Sequence, residues 1–231
     1  MNYLEEAFAN LKLDQVEELN QRAQEESAET KPTASPSLTP REYQYEIFKE
    51  AVKQNTIAVL DTGAGKTLIS VMLIKHMRAI ENEKCRASST YKRKITFFLV
   101  ERVPLVFQQA SVLEANCDAR IEKLCGEMNV DVWSLEKWRS ILDNVDICVM
   151  TAQIFLDILQ RAFLSLDEVN LLIFDECHHA VKNHAFNLIM YQFYHSIVAP
   201  HRLPKVFGMT ASPVFSTKKD IYTSIRHCIG N

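Results

Sequence analysis

Six short apolar runs, spaced 20 to 50 residues apart and separated by stretches of helical periodicity, limit what this chain can fold into. They are "TIAVL" at 56–60, "ITFFLV" at 95–100, "ARIEKL" at 119–124, "DICVM" at 146–150, "VNLLIF" at 169–174 and "KVFGM" at 205–209. "ARIEKL" is the weakest of them. The runs are continuous rather than alternating, so each strand is covered on both faces, as in a parallel sheet. Helical patterns at 66–80, 104–115, 152–162, about 184–197 and 218–228 supply the cover. The fold class that follows is α/β, a doubly wound and mostly parallel sheet.

The globular part is expected to begin at Pro40. Ahead of it, residues 4–26 carry Leu4, Phe8, Leu11, Val16 and Leu19 at helical spacing among many acids, and "SAETKPTASPSLTP" reads as a linker. Residues 1–39 are thus an acidic helical or disordered tail, and 40–231 the domain. Residues 1 to 30 hold eight acids and two bases, a net −6, so residues 31 to 231 carry +3 of the whole chain's −3. No strongly basic face declares a nucleic-acid binder. No run is long enough to span a bilayer, and the N-terminus lacks the pattern of a secretion signal. The six cysteines form no CxxC pair, which favours a reduced, intracellular chain. "ENEKCRASSTYKRK", 81–94, reads as a flexible surface insertion.

Glycine is scarce, five in the chain, yet two fall in "LDTGAGKT", between the first strand and its helix. Gly63 and Gly65 let the backbone approach a phosphate closely, and the helix N-terminus adds free N–H groups. In this reading Leu60, Asp61, Thr62, Gly63, Ala64, Gly65, Lys66 and Thr67 form a phosphate-binding loop. Lys66 reaches the β/γ-phosphates of ATP and the Thr67 hydroxyl ligates Mg²⁺. Leu60 stands where the general GxxxxGK[ST] pattern has glycine. Such a loop needs an acid at the end of a neighbouring buried strand. "NLLIFDECHHAVKNH" offers one: Asp175 to hold Mg²⁺ through water, Glu176 to polarise the attacking water. The zinc alternative, Cys177, His178, His179 and His184, lacks ligand-pair spacing, and His184 reads better as a helix start.

With these residues in view the chain resembles the superfamily 2 helicases of the DExH type. "DTGAGKT", "DECH" and "GMTAS" look like motifs I, II and III. "REYQ" resembles the adenine-reading Q motif through Arg41 and Gln44. "VERVPLVFQQ" resembles motif Ia, and "VMTAQIF" the later motif with Thr151 and Gln153. The resemblance implies that Pro104, Gln108, Thr151 and Gln153 face the backbone of the tracked strand. It also implies that His178, Thr210 and Ser212 relay nucleotide state to a second lobe.

"CGEMNVDVWSLEKWRSILDNVDICVMTAQIFLDIL", with Trp133 and Trp138, narrows the likeness to Dicer-like proteins, the fungal kind most closely, over residues 41–215. A RecA-like helicase lobe, ATP and Mg²⁺ as cofactors and double-stranded RNA as partner are what this implies, in RNA silencing and antiviral defence. The alternatives are an RNA-sensor or DNA helicase lobe of the same type, or a nucleotide-binding interaction module without turnover. The second lobe, with its Gln-x-x-Gly-Arg-x-x-Arg motif, and the ribonuclease III domains are expected to be absent from this chain. Its grip on RNA is therefore expected to be weak, and its location cytoplasmic, with the nucleus as the alternative.

Overall fold

The computed structural model describes residues 39 to 211. The expected N-terminal helix at 4–26, the last helix at 218–228 and Ser212 lie outside them. Helix α1 (Glu42–Lys53) leads into β1 (Thr56–Val59), and α2 (Lys66–Ala87) into β2 (Ile95–Val100). Then come α3 (Val103–Asn116), β3 (Ile121–Leu124), α4 (Leu135–Leu142), β4 (Ile147–Thr151) and α5 (Ala152–Gln160). The series closes with β5 (Val169–Asp175), α6 (Ala185–Ile189) and β6 (Lys205–Thr210).

The strands form one six-stranded sheet in the order β1-β6-β5-β2-β4-β3, every pairing parallel. All residues of β2 and β5 are buried, as their mostly apolar sequences require, and the polar pair Thr96 and Asn170 bond to each other at 2.8 Å. Successive residues point to opposite faces, and each face has its own core. Phe97, Leu99, Met150, Leu172 and Phe174 pack with Trp138, Phe155 and Phe186, from α4, α5 and α6. Phe98, Val100, Val149, Ile173 and Phe207 pack with Phe48, Ile69 and Val106, from α1, α2 and α3. Helices thus cover both faces, which is the doubly wound arrangement.

Two expectations need correction. The stretch 81–94 is not a surface insertion throughout, because α2 continues to Ala87. The reason is Glu81, only 2% exposed, which accepts from Tyr91 Oη at 2.8 Å and Lys94 N at 2.9 Å. A buried carboxylate needs such donors, and they fold residues 88–94 back on the helix. The helix expected at 184–197 is a short α6 followed by a π-helical turn, Met190–Tyr194. That turn buries Tyr194, whose hydroxyl accepts from Asn55 Nδ2 at 2.7 Å.

Candidate active site

In a parallel sheet of this kind ligands bind beyond the carboxyl ends of the strands. Five of the segments singled out in the sequence lie there: the loop after β1, Asp175 and Glu176 ending β5, Thr210 ending β6, and the junctions β2–α3 and β4–α5. Strand β6 lies between β1 and β5, with Val59 opposite Thr210 and Asp175 opposite Met209. The loop at 60–65 and the acids at 175–176 are therefore one strand apart.

Gly63 and Gly65 both have positive φ, +83° and +78°, and Gly65 is the N-cap residue of α2. A Cβ on Gly65 would overlap Gln44 Nε2. Gln44, 4% exposed, donates that nitrogen to Ala64 O at 2.8 Å, and its Oε1 accepts from Arg41 N at 2.8 Å. Both ends of its amide are thus engaged by protein. Tyr43, which the sequence reading passed over, adds a second bond to Ala64 O at 2.7 Å. Arg41 is exposed and donates to Tyr43 Oη at 3.3 Å. Asp61 and Thr62 are exposed on the loop, and Leu60 is half-buried, its N–H on Thr210 O at 3.0 Å. Lys66 Nζ donates to the carbonyls of Leu60 at 3.0 Å and Asp61 at 3.4 Å.

Asp175 is 6% exposed, and Oδ2 accepts from Gln109 Nε2 at 3.0 Å. Gln109 Oε1 in turn accepts from Thr67 Oγ1 at 3.3 Å. The first helical turn and the end of β5 are thereby joined through one side chain of α3. Gln109 was also missed, although its position carried a signal. It shares a face of α3 with Val106, Ala110 and Leu113, all buried, so a glutamine stands in a core stripe. Burial, and then the Glu176 charge, push the Asp175 carboxyl up to about 6, against the opposing pull of the Glu176 backbone N–H, Gln109 and Lys66.

Glu176 sits in the left-handed region, φ 49° and ψ 51°, a conformation a non-glycine residue holds only at a cost of about 1–3 kcal/mol. Its Oε2 accepts from Ala211 N at 3.1 Å and from Thr210 Oγ1 at 3.3 Å. His178 Nδ1 is 2.7 Å from Thr210 Oγ1 and 3.3 Å from Glu176 Oε2. Burial, then the neighbouring His179, lower the His178 pKa, which works against an ion pair with Glu176. His179 Nε2 lies 3.1 Å from Glu101 Oε2, and His184 caps α6 by accepting from Phe186 N at 3.3 Å. Among the described residues no group of three or more His, Cys, Asp or Glu could hold a metal ion. The zinc alternative finds no support there.

Pro104 and Gln108 are exposed on the first turns of α3, Thr151 is the N-cap residue of α5, and Gln153 is exposed with Nε2 on Asp157 Oδ1 at 2.8 Å. Trp138 is buried and Trp133 packs against it, ring centroids 5.2 Å apart.

The profile of the family described as "Type III restriction enzyme, res subunit" matches residues 37–215. The chain belongs to this family, ResIII. The ResIII lobe is similar to Dicer-like protein 1 of Aspergillus oryzae, 46% identical over 187 residues, or 81% of this chain and 12% of that one. Dicer-like protein 1 of Neurospora crassa is 47% identical over 176 residues, 76% of this chain and 11% of its own. Endoribonuclease Dicer homolog 1 of Arabidopsis thaliana is 43% identical over 174 residues, 75% and 9%. This chain spans only about an eighth of the length of the first of these relatives. Among solved structures, the Hef helicase domain of Pyrococcus furiosus has a TM-score of 0.67 and 29% identity, over 84% of this chain and 37% of that one. The ResIII lobe is a RecA-like helicase lobe of the superfamily 2 helicase/ATPase kind, and nucleotide binding belongs to that kind.

Proposed function

We propose that the chain is the ATP-binding lobe of a Dicer-like, DExH-type helicase, which couples ATP binding and hydrolysis to double-stranded RNA in RNA silencing and antiviral defence. The observation that carries the reading is the chain Thr67–Gln109–Asp175, with bonds of 3.3 and 3.0 Å, which brings the glycine loop up to the acid pair.

The N–H groups of Gly63 and of residues 65–67 at the start of α2 bind the phosphates of ATP. Lys66 exchanges two neutral carbonyl acceptors for charged phosphate oxygens, a stronger contact. Gln44 and Arg41 bring the Q motif against this loop, and the adenine is assigned to them. The donor set also fits a divalent cation, because Thr67 offers a hydroxyl and Asp175 a buried carboxylate whose charge is costly without a counter-ion. Mg²⁺ held there would neutralise charge on the transferring phosphoryl group. Glu176, its Oε2 steadied by Ala211 N and Thr210, orients the attacking water. His178, Thr210 and Ser212 carry the state of the nucleotide to a second helicase lobe.

Double-stranded RNA as partner is supported by the likeness to the Dicer-like relatives. Pro104, Gln108, Thr151 and Gln153 are the residues assigned to its backbone. A cytoplasmic location, with the nucleus as the alternative, goes with this reading.

The test is ATP hydrolysis by the 231-residue chain and by a longer chain that adds a second RecA-like lobe. An arginine supplied across such a site is worth about 10³–10⁵ in rate. RNA-stimulated turnover is expected from the two-lobe chain only, and Glu176→Gln should abolish it. A two-lobe chain that binds no ATP by calorimetry would overturn the proposal.

A further inference from the structure

Gln109 is the one polar residue on the buried stripe of α3, and it is 7% exposed. A buried amide needs partners, and the identity of the partner atoms is what matters here. Nε2 donates to Asp175 Oδ2 at 3.0 Å, and Oε1 accepts from Thr67 Oγ1 at 3.3 Å. Turning the amide over would set its oxygen against a carboxylate, acceptor against acceptor. The carboxylate therefore fixes the amide, and the amide fixes the hydroxyl. Thr67 has a single hydroxyl proton, and that proton is spent on Gln109 Oε1. Its oxygen is left as a pure acceptor. Asp175, with one donor on Oδ2, keeps acceptor capacity on its carboxylate for a cation.

The two oxygens that suit a divalent cation thus have their polarity set by one side chain. We propose that Gln109 is a positioning residue for the cation that accompanies the nucleotide: it orients Thr67 and Asp175 without ligating the metal itself. This rests on the ATP and Mg²⁺ reading above. The side chain has to be an amide. A residue of similar shape without polar atoms, such as methionine, would release the Thr67 proton and strip Asp175 of its donor. Glutamate would set a second carboxylate where Asp175 now finds an N–H.

Calorimetry of the 231-residue chain with ADP, in Mg²⁺ and in EDTA, tests this without any turnover. The proteins are wild type, Gln109→Met, Gln109→Glu and Lys66→Ala, each with its melting temperature. Partners that orient metal ligands are typically worth about 10–100-fold in metal affinity. The Gln109 variants should bind ADP in EDTA within about two-fold of wild type and lose about ten-fold or more of the Mg²⁺-dependent gain. Lys66→Ala should weaken binding in both buffers, which separates failure of the phosphate loop from failure at Gln109. Wild-type Mg²⁺ dependence in the variants would overturn the proposal, as would equal losses with and without Mg²⁺. Unfolding of both variants would make Gln109 a structural residue and count against it. Wild type that binds no ADP, or gains nothing from Mg²⁺, would remove the nucleotide and metal reading on which the proposal stands.

Discussion

Gln44 donates its Nε2 to the carbonyl of Ala64 at 2.8 Å, so the helix before β1 braces the centre of the loop after it. A hydrogen bond of this kind contributes about 0.5–1.5 kcal/mol. If ATP binds the braced loop, Gln44→Ala should weaken it by a factor of about two to ten by calorimetry. Gly65→Ala should be worse, because it combines positive φ with overlap of the Gln44 amide. Gly63→Ala carries the same backbone strain into open space. Its penalty should be the smaller one, and equal losses at the two glycines would deny the brace.

Lys66→Ala removes a charge-assisted phosphate contact, worth about 1.5–3 kcal/mol, so ATP affinity should fall about ten-fold or more. Glu176→Gln should behave differently. A group that acts on the water works mainly in the transition state, so ATP binding should stay within about two-fold of wild type while turnover in a two-lobe chain is lost. A loss of binding at Glu176→Gln as severe as at Lys66→Ala would show that Glu176 belongs to ground-state binding.

Much of this was readable in the residues, for definite reasons. All six strands announced themselves, since strands covered on both faces need unbroken apolar runs, and even the weak "ARIEKL" yields β3 at the sheet edge. The glycine loop and Asp175-Glu176 stood out because their chemistry is local in sequence. The cross-links between them did not. Tyr43 is 21 residues from Ala64, Gln109 is 66 from Asp175, and Ala211 is 35 from Glu176. No periodicity encodes such pairs. Glu81 misled in the same way, because an acid in a charged stretch looks solvated until the fold buries it.

Asp146 is the strongest case for acid sensitivity. It is 4% exposed and accepts from Arg93 at 2.7 Å, Arg120 N at 3.0 Å and Arg78 at 3.4 Å. Burial alone would raise its pKa, but the bonds from Arg120 and Arg93 prevail and hold it well below the usual carboxylate range. A depressed folded pKa gives stability that is present above the unfolded value, about 3.9, and lost as the pH falls through the folded one. The melting temperature should therefore drop as pH is lowered below about 4. Breaking a buried pair typically costs about 3–5 kcal/mol. Asp146→Asn should fall at the low end at neutral pH, since the arginines keep some solvent, and should flatten the acid limb of the curve. A limb unchanged in Asp146→Asn would assign it to other carboxylates.

Binding to RNA should be weak and only modestly sensitive to salt for the chain alone. Its residues 31–231 carry only +3, and each phosphate neutralised on a duplex adds about 0.9 to the salt slope. Fluorescence anisotropy with a labelled duplex, titrated with salt, should give a slope of only a few and little binding above physiological ionic strength. A slope near that of a dedicated nucleic-acid binder, around ten, would mean that the positive surface is far larger than the residues named here.

The order of the strands has a consequence for how the chain is made. Among the described residues β1 pairs only with β6, whose residues are synthesised about 150 positions later. Until then β1 has no strand beside it, and the loop it carries has no Thr210 carbonyl to receive the Leu60 N–H. Contacts so distant in sequence are slow to form, and a growing chain waits for them. The glycine loop leaves the ribosome well before β6 does and is seated against it only when β6 arrives. Affinity for nucleotide in a nascent chain should switch on only after residue 210 has emerged, so the ligand reports the closing of the sheet.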